Sequence, residues 1–109
     1  MILSNTETIP GYTITHHIGL VQGNTVRSKH VGRDLMAGLK NIVGGELKGY
    51  TELLEDARQE ATHRMISDAQ TKGANAIVNV RFSTSAITSG ASELYVYGTG
   101  VVLAGGAVA

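Results

Sequence analysis

The residues of this 109-residue chain best suited by type to do chemistry are its four histidines and the carboxylates near them. Glu60 and His63 form a Glu-x-x-His pair. That spacing puts both side chains on neighbouring positions of one helix face, and di-iron bundles use it. Such bundles need two copies and further glutamates, whereas this chain carries the pair once. His16 and His17 are adjacent in an alternating run, so a strand would point them to opposite faces. They cannot share one ion within a subunit, and we expect one packed histidine and one at the surface or an interface. Cysteine is absent, which removes thiolate metal cages, disulfides and a thiol nucleophile. A metal site built on His16, His17, His63 and Glu60 would therefore have to form between subunits.

Arg27, Lys29, His30 and Arg33 make a short basic stretch before Asp34. It could hold an anion near the start of a helix, but four spread residues read first as a solvated loop. Gly44-Gly45 lacks the Gly-Lys-Ser/Thr ending of a phosphate loop, and Gly98-Thr99-Gly100 falls inside a strand pattern, so neither is a nucleotide fingerprint. No Gly-x-Ser-x-Gly elbow is present. Glu52, Glu55 and Asp56 read as solvated helix-face charges. Tyr95 and Tyr97 share a strand face and suit packing or an interface better than a ligand platform. We expect no enzyme and no resident cofactor, with a divalent metal as the alternative.

Composition narrows the classes further. Nine basic and nine acidic residues cancel, so nucleic-acid and anionic-membrane coats are disfavoured. With 42% hydrophobic and 17% charged residues, the chain can bury a core. Its length fits one domain, residues 1–109, with a core over 10–103 and a flexible tail over 104–109. The first residues lack the basic and apolar regions of a signal peptide, and no run is long and apolar enough to span a bilayer. The cytoplasm is the expected compartment.

These residues must be positioned by a few elements. Tyr12–Val21 alternates with period two and reads as a half-buried strand, ended by a turn at Gln22-Gly23-Asn24. Arg33–Val43 reads as a short helix stopped by Gly44-Gly45. Tyr50–Lys72 is the strongest helix signal, with Tyr50, Leu53, Leu54, Ala57 and Ala61 in the i, i+3, i+4, i+7 pattern. Ala57, Ala61, Met65 and Ala69 form a mostly small ridge of step four, suited to close packing on a sheet. Asp68 falls near that ridge, where a carboxylate is out of place. Gly73 ends the helix, with Lys72 suiting its negative end. Ala74–Thr84 alternates, with Ala76, Val78, Val80 and Phe82 inward. Ser83–Ser92 reads as a loop, and Glu93–Leu103 as a strand apolar on both faces. The result is an α+β, two-layer β-α-β-β arrangement, an antiparallel sheet on one long helix. The second face of the last strand and apolar Met1-Ile2-Leu3 lack local partners. Uncovered area of this kind predicts a homo-oligomer.

The ordered motifs Gly32-Arg33-Asp34-Leu35, Ile42-Val43-Gly44-Gly45, Tyr50 with Leu53-Leu54, Ala57-Arg58-Gln59-Glu60-Ala61, Gly73-Ala74-Asn75-Ala76-Ile77-Val78 and Tyr97-Gly98-Thr99 resemble the YbjQ-like family, also called the heavy-metal-binding domain family. The resemblance runs from about Pro10 to Leu103. The family's last motif usually reads Gly-Thr-Ala, and here Gly100 replaces the alanine. The resemblance implies a dodecin-like subunit, assembly into a ring (a pentamer first), and short extra strands that help join subunits. It implies no established activity. The expectation is thus a ring-forming, non-enzymatic protein whose partner is itself. The alternatives are a metal-ion binder with sites between subunits, or an anion or small-molecule binder using Arg27, Lys29 and Arg33.

Overall fold

The long alternating runs build a sheet, and the small-residue ridge builds its cover. The computed structural model describes residues 1–28, 42–43, 46–88 and 91–105. In chain order the elements are β1 (Ile2–Leu3), β2 (Tyr12–Ser28), β3 (Ile42–Val43), β4 (Glu46–Leu47), α1 (Lys48–Thr71), β5 (Ala76–Thr88) and β6 (Ala91–Gly105). The main sheet has four strands in the order β1-β5-β6-β2, and β3 with β4 forms a separate two-stranded ribbon. The fold is α+β with a mixed sheet. β5 and β6 pair antiparallel, as do β6 and β2, but β1 lies parallel to β5 with Ile2 opposite Ala76. The expectation of a wholly antiparallel sheet is corrected by that edge strand, which gives Met1-Ile2-Leu3 the partner the sequence did not reveal.

The ridge behaves as its spacing requires. Ala57, Ala61, Met65 and Ala69 are all buried, packed with Val21, Ile77, Leu94 and Val96. Leu54, counted with the same stripe, is 47% exposed instead. Gly23 does not turn the chain; β2 runs unbroken through Gln22-Gly23-Asn24 to Ser28. The glycine is needed for proximity. A Cβ there would lie 2.1 Å from the Ala61 carbonyl oxygen and 2.5 Å from the Met65 nitrogen. Those atoms belong to helix backbone and cannot swing aside, so only glycine lets α1 rest this close to β2.

The second face carries its own core. Ala76, Val78, Val101 and Leu103 are buried there, with Ile2, Ile9 and Tyr12 packed against them. This separates residues expected on one face of β5. Ala76 and Val78 face away from the helix, whereas Val80 packs on the helix side. The cause is an irregularity in the β5–β6 register between Val78 and Arg81, where Asn79 takes φ 54°. An extra residue in a strand shifts the alternation by one. The Asn79 and Val80 amides donate to the Thr6 and Ser4 carbonyls, so the N-terminal segment holds the bulge. β6 behaves as its sequence predicts: Leu94 and Val96 enter the helix-side core, and Val101 and Leu103 the other.

Further expectations change. Within the stretch read as a loop, 83–88 and 91–92 are strand, because β5 continues to Thr88 and β6 begins at Ala91; 89–90 lie outside the described residues. Its small and β-branched residues suit a pleated surface as well as a loop. Ile42-Val43, expected to finish a short helix, is strand paired with Glu46-Leu47; Ala104 and Gly105, assigned to the tail over 104–109, continue β6, while 33–41, the Gly44-Gly45 break and 106–109 lie outside the described residues. Asp68 is not misplaced, since its carboxylate accepts from the Gln22 amide and from Lys72. Gly73 does close the helix, at φ 88°.

The strands outrun their cover. Residues 81–88 of β5 are exposed throughout, including Phe82 and Ile87. The radius of gyration is 17.3 Å, against about 13 Å for a compact chain of this length. The close contact at Gly23 makes a direct prediction. Gly23→Ala should lower stability by about 2–3 kcal/mol through overpacking, read as a lower urea midpoint with an unchanged slope. A neutral result would show that α1 can lift from β2 without cost.

Candidate functional site

The helix side of the sheet positions most of the candidate residues. Gly23 and Thr25 of β2 face α1, with the Thr25 hydroxyl donating to the Ala57 carbonyl. The same alternation carries Arg27 alongside the middle of the helix. There Arg27, Asp56, Gln59, Glu60, His63 and Arg64 line one open cleft. A neighbouring hollow, lined by Arg58, Gln59, Thr62, His63, Ile66 and Phe82, lies toward β5. His63 borders both. Thus Glu60 and His63, paired by sequence spacing, do share a surface, and Arg27, considered separately as an anion ligand, lies in the same cleft. Lys29 and Arg33 lie outside the described residues.

One ion pair lies within the cleft. Arg64 Nε lies 3.1 Å from Glu60 Oε1, with side chains 52% and 46% exposed. Arg64 also donates to the Asn24 carbonyl at 2.7 Å. The Glu60 carboxylate is therefore already on a cation.

His16 and His17 are far along the chain from this cleft, on β2, where both are exposed, and His30 lies outside the described residues. The expectation of one packed histidine fails because the register is irregular on both sides of them, between Ile14 and His16 and between His17 and Gly19. Their β6 partners are Val102 and Val101, and Thr15 Oγ1 lies 3.1 Å from His16 Nδ1. Among the described residues no three histidine or carboxylate side chains group closely enough to hold a metal ion. The described donors of one chain therefore do not fit a heavy metal: cysteine is missing from the sequence and Glu60 is engaged by Arg64.

On the opposite face Tyr95 and Tyr97 stack with ring centroids 5.2 Å apart. The Tyr95 hydroxyl donates to Gln22 Oε1, and Asn24 Nδ2 to Glu93 Oε2. These bonds tie β6 to β2 and use the tyrosines as packing. Sequence reasoning placed Phe82 inward but not as a half-exposed wall of the hollow beside His63, and it missed the part Arg64, Asp68 and Lys72 take in binding β2. The second set was visible as a step-four polar row flanking the apolar ridge.

The exposure of the Glu60–Arg64 pair sets its worth. A double-mutant cycle on Glu60→Ala and Arg64→Ala should give a coupling below about 1 kcal/mol. A larger value would mean the cleft is drier than its geometry indicates.

No helix among the described residues is long and apolar enough to cross a membrane. Comparison with known proteins adds kinship. A family model described as "Putative heavy-metal-binding" matches residues 1–104. A UPF0145 protein of Hahella chejuensis is 68% identical over 103 residues, covering 94% of this chain and 99% of the relative. A UPF0145 protein of Acinetobacter baylyi is also 68% identical, covering 87% and 88%. Neither name states an activity. Among solved structures, a Pediococcus pentosaceus protein of unknown function in the DUF74 family superposes with a TM-score of 0.64 at 14% identity, covering 95% of this chain and 98% of that one. That likeness concerns the fold alone. With nearly the whole length matched by the family model and by relatives at this identity, the chain belongs to the YbjQ family, that of the UPF0145 proteins.

Proposed function

We propose that the working unit is a homo-oligomer, a closed ring of dodecin-like subunits with no catalytic role, and a pentamer before other sizes. The observation that carries this reading is the sheet arm left uncovered beyond the helix. Phe82 on the helix face of β5, Ile87 further along that strand and Val26 on the other face of β2 are each at least half exposed, at 50%, 55% and 52%. Apolar side chains left open in this way mark an interaction surface. Leu20 and Leu54 add to the exposed set, at 56% and 47%. Zero net charge lets identical subunits approach without strong repulsion. A head-to-tail contact that closes on itself gives a ring. The cytoplasm is the compartment this reading uses.

A second reading follows from the cleft. Asp56, Glu60 and His63 line one open wall, which a second copy could complete with His16 or His17. In that form the protein is a metal binder only as an assembly. Arg27 in the same cleft gives the anion reading its one described residue.

Light scattering on the purified chain at micromolar concentration should give a single mass several times that of the 11.4 kDa subunit. A monomer would refute the assembly. Calorimetry with zinc, copper and nickel on chelator-stripped protein tests the second reading. Heat that disappears in His63→Ala would support it, and no heat at micromolar metal would remove it.

A further inference from the structure

Sheets with free edges invite uncontrolled strand addition, and this one treats its two edges differently. On the β2 side, three helix side chains reach the outward backbone groups in register. Lys72 Nζ donates to the Leu20 carbonyl at 3.1 Å, the Gln22 amide donates to Asp68 Oδ2 at 3.1 Å, and Arg64 donates to the Asn24 carbonyl at 2.7 Å. Steps of four along the helix meet steps of two along the strand. Each outward group used this way is unavailable to an incoming strand. Nearer its start, β2 is bent by the irregularities around His16 and His17, and bulges also blunt an edge.

The β5 edge is treated otherwise. It is occupied as far as Val80, whose amide donates to the Ser4 carbonyl. Beyond that, no described strand pairs with its outer side. The alternation fixes which groups point outward. Gln22 and Val80 both point away from the sheet. With Gln22 opposite Tyr97 and Tyr97 opposite Arg81, Arg81, Ser83 and Ser85 bond inward to β6. Phe82, Thr84 and Ala86 present amide and carbonyl outward. The run Phe82–Thr88 contains no charge, proline or glycine. An uncharged strand offers nothing to select a foreign partner and nothing to repel an identical chain.

We infer that Arg64, Asp68 and Lys72 guard the β2 edge against strand addition, leaving the outer edge of β5 as the place where a second copy of this chain docks. The docking half rests on the assembly reading above; the guard half does not.

The test compares masses by light scattering, with circular dichroism to confirm folding. The triple variant Arg64→Ala, Asp68→Ala, Lys72→Ala should lose the single wild-type mass in favour of larger, polydisperse species that bind thioflavin T. If it stays folded at the wild-type mass, the guard is overturned. Should the triple variant unfold, Arg64→Met with Lys72→Met keeps the apolar stems and is judged by the same outcomes. Thr84→Pro removes one outward amide from an edge strand, a position where proline is tolerated. It should dissociate the assembly while the helix signal persists; retention of the wild-type mass overturns docking on β5. A monomeric wild type refutes the assembly and the docking half together, whereas the guard is still judged by whether its variants associate.

Discussion

The contact between Gly23 and the backbone of α1 is the constraint on which the other arrangements depend. Because the strand offers no Cβ there, the helix settles onto β2 with Ala57, Ala61, Met65 and Ala69 filling a thin layer. A wider gap would take Lys72 away from Leu20, Asp68 from Gln22 and Arg64 from Asn24. The same closeness places the helix over β2 and β6 rather than centrally, and so leaves the far half of β5 bare. One missing side chain thus determines where the protein is dry, which edge is sealed and which remains available.

The sheet serves two cores with unequal cover. Near the chain's ends, the segment around Ile2 and Ile9 closes the face away from the helix. At the other end of the strands, neither face has comparable cover among the described residues. Stacked tyrosines and cross-strand polar bonds hold the uncovered part flat without burying it. The cleft at His63 lies beside this arm and is open, with Glu60 and Arg64 paired within it.

Much of this was legible in the sequence. The long helix, its ridge, the final two-faced strand and the stop at Gly73 follow from periodicity, because each depends on local spacing. Glycine at position 23 was misread because a turn and a close approach use the same residue, and only the helix arriving from elsewhere distinguishes them. Asn79 could not be foreseen to shift the alternation, since the bulge depends on Ser4 and Thr6, far away in sequence. The pairing of Ile2 with Ala76 was hidden for the same reason. Of the candidate site, the Glu60–His63 neighbourhood was visible from helix spacing, but Arg27 reached it through tertiary packing, and the use of Glu60 by Arg64 needed coordinates.

The strand order also bears on how the chain folds as it is made. Among the described strands β1 pairs with β5 alone, and the outermost long strand, β2, pairs with β6, the last of them to be synthesised. Tyr12 meets Gly105 and Ile2 meets Ala76. A nascent chain emerging from the ribosome can therefore form α1 early, but β2 must wait for nearly the whole sequence before it acquires a neighbour. Long-range pairing of this kind slows folding, because loop closure comes before the contacts that compensate for it. During that wait α1, which packs on β2, can shelter the Tyr12–Ser28 segment from its equally unfinished copies on the same message.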